Sequence, residues 1–342
     1  MNKKVTIIAE AGVNHNGDFE KAKKMMEVAA SAGADFVKFQ TFKADKIVSK
    51  TALKAEYQNK NIGDSDQSQY GMLKKLEIPE NWYNELVNYA GLLGISFLST
   101  GFDEESIDFL GDIGSPLFKI PSGEITNKPY LEHIASKGKP IILSTGMATI
   151  AEIEAALAVI EKAGSNRKSI TVLHCNTEYP TPMKDVNLMA MLHIRNSLGV
   201  EVGYSDHTLG IEVSIAAVTL GATVIEKHFT LDRNLPGPDH AASLEPEELR
   251  AMVKAIRNIE LALSGTGIKE PSASEIPNKV VARKSIHTKN LLNSGHLLKS
   301  DDLVMKRPGD GISPMEIDNI IGRKINQNLE AETKLKWEYL EK

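Results

Sequence analysis

Cysteine is almost absent from this chain: 342 residues carry one, Cys175, so no internal disulfide can form, which suits a reducing compartment such as the cytoplasm. Long hydrophobic runs are missing too, and no stretch approaches the roughly 18 apolar residues of a membrane span. The N-terminus, MNKKVTIIAEAGVNHNG, starts like a signal peptide with two lysines and an apolar run, but Glu10 cuts that run after five residues, too short for an h-region. There is no basic run, and the net charge of −5 gives nucleic acid no footprint. The expectation is a cytoplasmic protein with neither membrane nor nucleic-acid partners. A dinucleotide fingerprint is lacking as well, since the first strand turns on EAGVNHNGD rather than G-x-G-x-x-G.

What is present is alternation. Short apolar runs fall at 5–12 (VTIIAEAG), 35–42 (DFVKFQTF), 94–101 (GISFLSTG), 116–123 (PLFKIPSG), 139–146 (KPIILSTG), 169–176 (SITVLHCN), 200–206 (VEVGYSD) and 223–230 (TVIEKHFT). Between them lie segments such as DFEKAKKMMEVAASAGA, PENWYNELVNYAGLLG, TIAEIEAALAVIEKAG and EPEELRAMVKAIRNIELALSG, whose apolar residues recur at the three- and four-residue spacing of an amphipathic helix. Several open on Asp, Thr or Pro and close near Gly, as capped helices do. Eight strand–helix units in about 260 residues are the arithmetic of a (β/α)8 (TIM) barrel. The alternative, a doubly wound open sheet, lacks its Gly-rich turn here.

From Gly265 the texture changes. GTGIKEPSASEIPNK is rich in Gly, Pro and Ser and reads as a linker. The expected organisation is a barrel over 1–264, a linker over 265–282 and a small C-terminal domain of short strands and turns over 283–342, too small to bury much by itself.

Barrel active sites gather at the C-terminal strand ends. Read in order, those ends carry Glu10, Lys38 with Gln40, Thr100, Lys119 with Ser122, Ser144, His174 with Asn176, Ser205 with His207, and Glu226 with His228. Side chains two apart share a face of a strand, so Lys38 pairs with Gln40, Ser205 with His207 and Glu226 with His228. The last two strands of a barrel are neighbours, which brings His207 and His228 together. Two neutral imidazoles with open positions around them suit a divalent transition metal; the structural alternative is a local hydrogen bond at each. The lysines and hydroxyls suit a small, highly charged anion bearing phosphate and carboxylate. Glu10 fits either their counter-ion, a general base or a hydroxyl anchor. The loops NLPGPDHAAS (234–243) and HCNTEYPTP offer Asp239, Thr177, Glu178 and Tyr179, while His15 and Cys175 read as structural.

Taken together, IAEAGVNHNGD, ADFVKFQTF, FKIPSGEITN, ILSTGM, LHCNTEYPTP, GYSDHT, IEKHFT, PGPDH and KRPGDGIS resemble the sialic acid synthase family along nearly the whole chain. That family condenses phosphoenolpyruvate with an N-acylated mannose-type sugar to a nine-carbon 2-keto acid. The resemblance implies a C-terminal antifreeze-like (SAF) domain that covers the partner's barrel in a domain-swapped homodimer. It implies His207 and His228 as ligands of a divalent metal, Mn2+ first, with Mg2+ or Co2+ as alternatives. It places Lys38, Thr100, Lys119, Ser122, Ser144 and Ser205 around phosphoenolpyruvate, and Glu10, Gln40, Glu124, Tyr179 and Asp239 around the sugar and metal-bound water. Arg307 would reach towards the partner's bound sugar, and a phosphate-side asparagine would fall within 59–69. NTEYPTP after Cys175, where sialic acid enzymes read Thr-Asn-Ile-Tyr, resembles the legionaminic acid branch, whose acceptor is 2,4-diacetamido-2,4,6-trideoxymannose. Four rival readings stand beside it. They are N-acetylmannosamine as acceptor, a pseudaminic acid synthase, a Schiff-base aldolase using Lys38 or Lys119, and a non-catalytic sugar-binding protein.

Overall fold

Each of the eight apolar runs forms a strand in the computed structural model, which describes residues 4–63 and 65–341. They are β1 (Thr6–Gly12), β2 (Phe36–Thr41), β3 (Ser96–Gly101), β4 (Phe118–Ile120), β5 (Ile141–Ser144), β6 (Ile170–Cys175), β7 (Glu201–Asp206) and β8 (Val224–His228). Parallel ladders connect them in the order β3-β2-β1-β8-β7-β6-β5-β4, and β3 packs beside β4, so the sheet curves into an eight-stranded barrel. Eight helices follow the strands: α1 (Phe19–Ala32), α2 (Glu80–Leu93), α3 (Glu104–Asp112), α4 (Lys128–Ala135), α5 (Ile150–Lys162), α6 (Met189–Leu198), α7 (Glu212–Thr219) and α8 (Pro246–Ala262). Their ends carry the signals that start and stop helices. The Asp18 side chain accepts from Lys21 N at the head of α1, Thr149 and Glu152 form a reciprocal capping box on α5, and Gly33 closes α1 at φ +84°, a left-handed value costly for other residues.

Alternation along the strands builds two cores. Outward residues such as Ile7, Val37, Phe39, Val172, Val202 and Ile225 are buried beneath the helices against Met25, Leu86, Leu157, Met191 and Met252. Each large side chain so buried contributes roughly 1.5–3 kcal/mol. Inward residues Ile8, Leu98, Ile142, Leu173 and Val224, with Phe36 and Leu117, fill the floor of the barrel. Space there is tight: a Cβ on Gly203 would meet the Val224 carbonyl oxygen at 2.4 Å and Leu173 at 2.6 Å. Above this floor the inward residues become polar, which is where a ligand can be bound.

Two features depart from the sequence reading. β4 spans only Phe118–Ile120, because Pro121 has no N–H to extend the ladder, and the chain turns through a 3-10 turn at Ser122–Glu124 instead. Between β2 and α2, residues 44–76 hold three short helices, Ala44–Ile47, Glu56–Ile62 and Gln69–Leu76, each too short to show a periodic pattern in sequence. This excursion has its own small core of Val13, Phe42, Met72 and Leu76.

On the outer side of the barrel, behind the two histidines, Asp206 and Lys227 form a fully buried ion pair at 3.0 Å. Asp206 also accepts from Thr208 N, Thr208 Oγ1 and Ser214 Oγ of α7, and Lys227 donates to the Thr208 carbonyl at 2.5 Å. Removing one charge strands the other. Lys227→Met is therefore expected to cost roughly 3–5 kcal/mol in urea unfolding, and the Asp206→Leu/Lys227→Met double variant less than the single one. Losses that simply add, with the double variant costing the sum of the Asp206→Leu and Lys227→Met single variants, would show that the pair is not coupled.

The chain divides into two compact units, one ending at Ser264 and the other beginning at Gly265. The second has an antiparallel pair, β9 (Ser285–Thr288) and β10 (Leu303–Lys306), and a core that includes Ile286, Leu298, Ile312, Ile325 and Leu335. Within the stretch read as a linker, Ile276–Ala282 is helical, with a proline in its first turn and its residues exposed.

Candidate active site

Strand register decides which polar groups meet. Glu10 on β1 stands level with Lys38 on β2 and with His228 on β8, Gln40 is level with Thr100 on β3, and Ser205 on β7 is level with Glu226 and Cys175. All face a cavity of about 670 Å³ at the C-terminal mouth of the barrel. Lys119, Ser122, Glu124, Ser144, His207, Tyr179 and Asp239 line the same cavity, so of the fourteen residues singled out by sequence only Arg307 is not among its lining residues. Arg307 belongs to the C-terminal unit, where it is exposed and its Nε donates to the Ala282 carbonyl at 3.0 Å.

Four buried charges occupy the deep end. Lys38 Nζ sits 2.7 Å from Glu10 Oε2, 3.5 Å from Glu226 Oε2 and 3.0 Å from Thr100 Oγ1. Lys119 Nζ and Ser205 Oγ both donate to Glu226 Oε1, at 3.1 and 2.9 Å. Glu226 thus bridges the two lysines. The sequence placed it at a strand end without a role, although its two-residue offset from His228 was the signal available. The outer oxygens of Glu10 and Glu226 sit beside Lys38 at ion-pair distance yet off the line a hydrogen bond needs, so both remain short of a donor.

Environment pulls the two carboxyls apart. Burial, reinforced by the charge of Glu226, pushes Glu10 up to about 7 against the opposing pull of Lys38. Burial also opposes ionisation of Glu226, but Lys119 and Lys38 outweigh it and hold that carboxyl below the usual range. Burial would lower Lys38; Glu10 and Glu226 reverse this and raise it, keeping it an ammonium. Asp239, buried beside Tyr57, is pushed up to about 6 by burial alone.

The two histidines stand with ring centroids 5.5 Å apart. Nδ1 of His207 donates to the Asn176 carbonyl at 2.5 Å, which leaves the lone pair on Nε2, itself 3.3 Å from Ser205 Oγ. His228 Nδ1 is buried and has no hydrogen-bond partner. Burial lowers His207 to about 4 and takes His228 well below its ordinary value, so both rings are neutral at pH 7. Neutral imidazoles with a free lone pair and an orphaned nitrogen suit a divalent cation. Among the described residues no group of three or more His, Cys, Asp or Glu converges as a ligand set, so the protein would supply two nitrogens and leave the other positions to water or substrate. Tyr179 stacks on His207 at 4.1 Å, meets His228 edge-on at 5.7 Å and is itself stacked by Tyr57 at 5.2 Å.

Other residues hold this arrangement. Ser122 Oγ accepts from Gly146 N at 2.9 Å and lies 3.3 Å from Cys175 Sγ, so the buried cysteine also lines the cavity. Glu124 Oε2 accepts from Asn127 at 2.6 Å. In the 59–69 segment, Asn61 donates to the Pro238 carbonyl at 2.7 Å and more weakly to that of Tyr179 at 3.4 Å, tying the excursion to the loops that follow β8 and β6. Asn14 clamps the Asp239 loop through Phe229 O and Ser243 Oγ, both at 2.9 Å. His174 turns outward to the Val186 carbonyl, and His15 is buried against Phe39 and Trp82; neither lines the cavity.

The buried histidines carry a prediction. His15, His207 and His240 are each lowered by burial to about 4, so unfolding takes up protons between about pH 4 and the ordinary histidine value. Their contribution is present above that range and is lost as pH falls through it. Glu10 and Asp239, raised by burial, act in the opposite sense but are fewer. The melting temperature of metal-free protein should therefore fall from pH 7 to pH 5. A flat or rising profile would contradict this balance.

Comparison with known proteins adds a family to the geometry. Residues 25–269 match the NeuB family, and residues 283–341 match the SAF domain. The N,N'-diacetyllegionaminic acid synthase of Legionella pneumophila is 51% identical over 98% of this chain and 94% of its own length. The Campylobacter jejuni protein of the same name is 52% identical over 95% of this chain and 97% of its own. Among solved structures, the N-acetylneuraminic acid (sialic acid) synthetase of Leptospira borgpetersenii, in complex with citrate, superposes with a TM-score of 0.70 at 35% identity. That match covers 81% of this chain and 90% of the other.

Proposed function

The chain belongs to the NeuB family, and from that premise we propose that it condenses phosphoenolpyruvate with 2,4-diacetamido-2,4,6-trideoxymannose, releasing phosphate and N,N'-diacetyllegionaminic acid. The observation that carries this reading is the cavity itself: two buried ammoniums and a ring of hydroxyls beside two neutral imidazoles at one barrel mouth. The identity to two N,N'-diacetyllegionaminic acid synthases supports the choice of acceptor.

In the reaction, a bond forms between C3 of phosphoenolpyruvate and the aldehyde carbon of the open-chain sugar. Water then adds its oxygen at C2, the bond from C2 to the bridging oxygen breaks, and inorganic phosphate leaves. A divalent cation held by His207 and His228 would supply Lewis acidity at the aldehyde oxygen. Lys38 and Lys119 hold the phosphate and carboxylate, with Thr100, Ser122, Ser144 and Ser205 donating hydrogen bonds around them. Glu10, raised towards neutrality, is suited to hold or pass a proton beside His228. Gln40, Glu124, Tyr179 and Asp239 orient the sugar. In a domain-swapped dimer, the partner's copy of Arg307 would complete its acyl-group site.

A Schiff-base mechanism would require a neutral lysine, whereas Lys38 is held as an ammonium by Glu10 and Glu226 and Lys119 is ion-paired to Glu226. Borohydride should trap no covalent adduct. The decisive test is phosphate release from phosphoenolpyruvate with Mn2+, comparing the diacetamido sugar with N-acetylmannosamine. Preference for the first supports the proposal. Preference for N-acetylmannosamine would reassign the enzyme to sialic acid synthesis, and release with neither would leave the sugar-binding alternative.

A further inference from the structure

One side of the cavity does not match the charged floor. Ile47, Val48, Met72, Leu73, Leu76 and Phe102 line it, all but Phe102 contributed by the helical excursion between β2 and α2. Ile47, Val48, Leu73 and Phe102 are only half-buried; Ile47, Leu73 and Phe102 pack on the excursion's core on one side, and all four also line the cavity. Met72 and Leu76 anchor them from the excursion's own core. An apolar wall facing water is unfavourable by the area it leaves wet, and a ligand that covers it with carbon gains that area back.

Phosphoenolpyruvate does not fit this wall, since its phosphate, carboxylate and enol oxygen all call for the lysines and hydroxyls at the opposite end. The wall therefore belongs to the co-substrate. The two candidate acceptors differ in the carbon they can offer: N-acetylmannosamine has one methyl, in its acetyl group, and a hydroxymethyl at C6. The 2,4-diacetamido-2,4,6-trideoxy sugar has a second acetyl methyl at C4 and a methyl at C6. Against those six apolar side chains a C6 hydroxyl would lose its hydrogen bonds to water and find no partner among them.

We infer that the wall built by Ile47, Val48 and Leu73 is the acceptor-selecting subsite, which receives the C4-acetamido and C6 methyl groups and disfavours a C6 hydroxyl. The inference rests on the acceptor class proposed above and adds the residues that enforce it. Gln69, which lines the same wall at the start of helix Gln69–Leu76, is placed to meet the amide that accompanies the C4 methyl.

The test is the ratio of kcat/KM for the diacetamido sugar to that for N-acetylmannosamine, in wild type, Leu73→Ser and Val48→Thr. Val48→Thr retains side-chain shape while adding a hydroxyl, and so guards against a Leu73 variant that fails to fold. A buried methyl contact is worth about 10-fold or more in discrimination. The ratio should fall about tenfold in either folded variant, through loss with the diacetamido sugar, with KM for phosphoenolpyruvate little changed. A wild type active on the diacetamido sugar whose variants lose both sugars equally, or keep the wild-type ratio, would overturn the subsite while leaving the proposed reaction intact. A wild type inactive with both sugars would overturn the reaction, and the subsite with it.

Discussion

Alanine at His228 is expected to reduce turnover by roughly a thousandfold or more and to leave the fold standing. Lewis-acid stabilisation of a developing oxyanion is worth several kcal/mol, and each ~1.4 kcal/mol is a factor of ten in rate. His228 is the more telling of the two histidines because its Nδ1 is buried without a partner, so its removal breaks no hydrogen bond in the metal-free protein. A buried nitrogen without a hydrogen-bond partner, beside a second neutral imidazole, is free to bind a cation. His207→Ala should show the same catalytic loss with a larger stability cost, since it also frees the Asn176 carbonyl and unstacks Tyr179. Titration calorimetry with Mn2+ on metal-free protein provides a readout independent of activity: binding should be lost in both variants. Retained turnover in His228→Ala, with melting unchanged, would remove the metal from the account.

Lys38→Met carries the second large effect. Lys38 is the only ammonium at ion-pair distance from both Glu10 and Glu226 among the described residues, and methionine preserves its length without its charge. Truncating one partner of a buried, hydrogen-bonded charge set costs 2–5 kcal/mol or more, so kcat/KM for phosphoenolpyruvate should fall by roughly 30-fold to several-thousandfold. The Glu226 carboxylate, left facing an incoming polyanion with only Lys119 beside it, increases that loss through repulsion. The same change should alter stability with a definite sign. Without Lys38, the carboxyl of Glu10, already raised to about 7 by burial, rises further. A folded-state value above the unfolded one stabilises at low pH and loses that contribution as pH rises through it. The variant's melting curve should therefore run parallel to wild type below about pH 7 and fall progressively further beneath it above that pH; curves that stay parallel through about pH 9 would show that Glu10 and Lys38 are not coupled.

Most of the barrel could be read from sequence because buried parallel strands announce themselves as short apolar runs, and α1, α2, α5 and α8 are long enough to repeat their apolar face several times. β4 was overextended because the run PLFKIPSG hides the effect of Pro121, and the turn it causes moves Ser122 and Glu124 off the strand. The helices within 44–76 span four, seven and eight residues, below the length at which a period can be seen, and they fold on contacts to Val13 and Phe42 that sequence does not reveal. For the same reason the apolar wall was invisible. The convergence of the strand-end residues follows from the two-residue repeat of strands plus barrel closure, both sequence-level rules. The bridging position of Glu226 between Lys119 and Lys38 does not, since it depends on how far three side chains reach across the barrel.

The measurement that bears most directly on the central claim uses metal-free wild-type protein, phosphoenolpyruvate and the diacetamido sugar, with phosphate release followed as Mn2+ is added. Phosphate should appear only when all three are present, one equivalent for each nine-carbon keto acid formed. Release at full rate under a chelator, or without the sugar, would contradict a metal-assisted condensation at this barrel mouth.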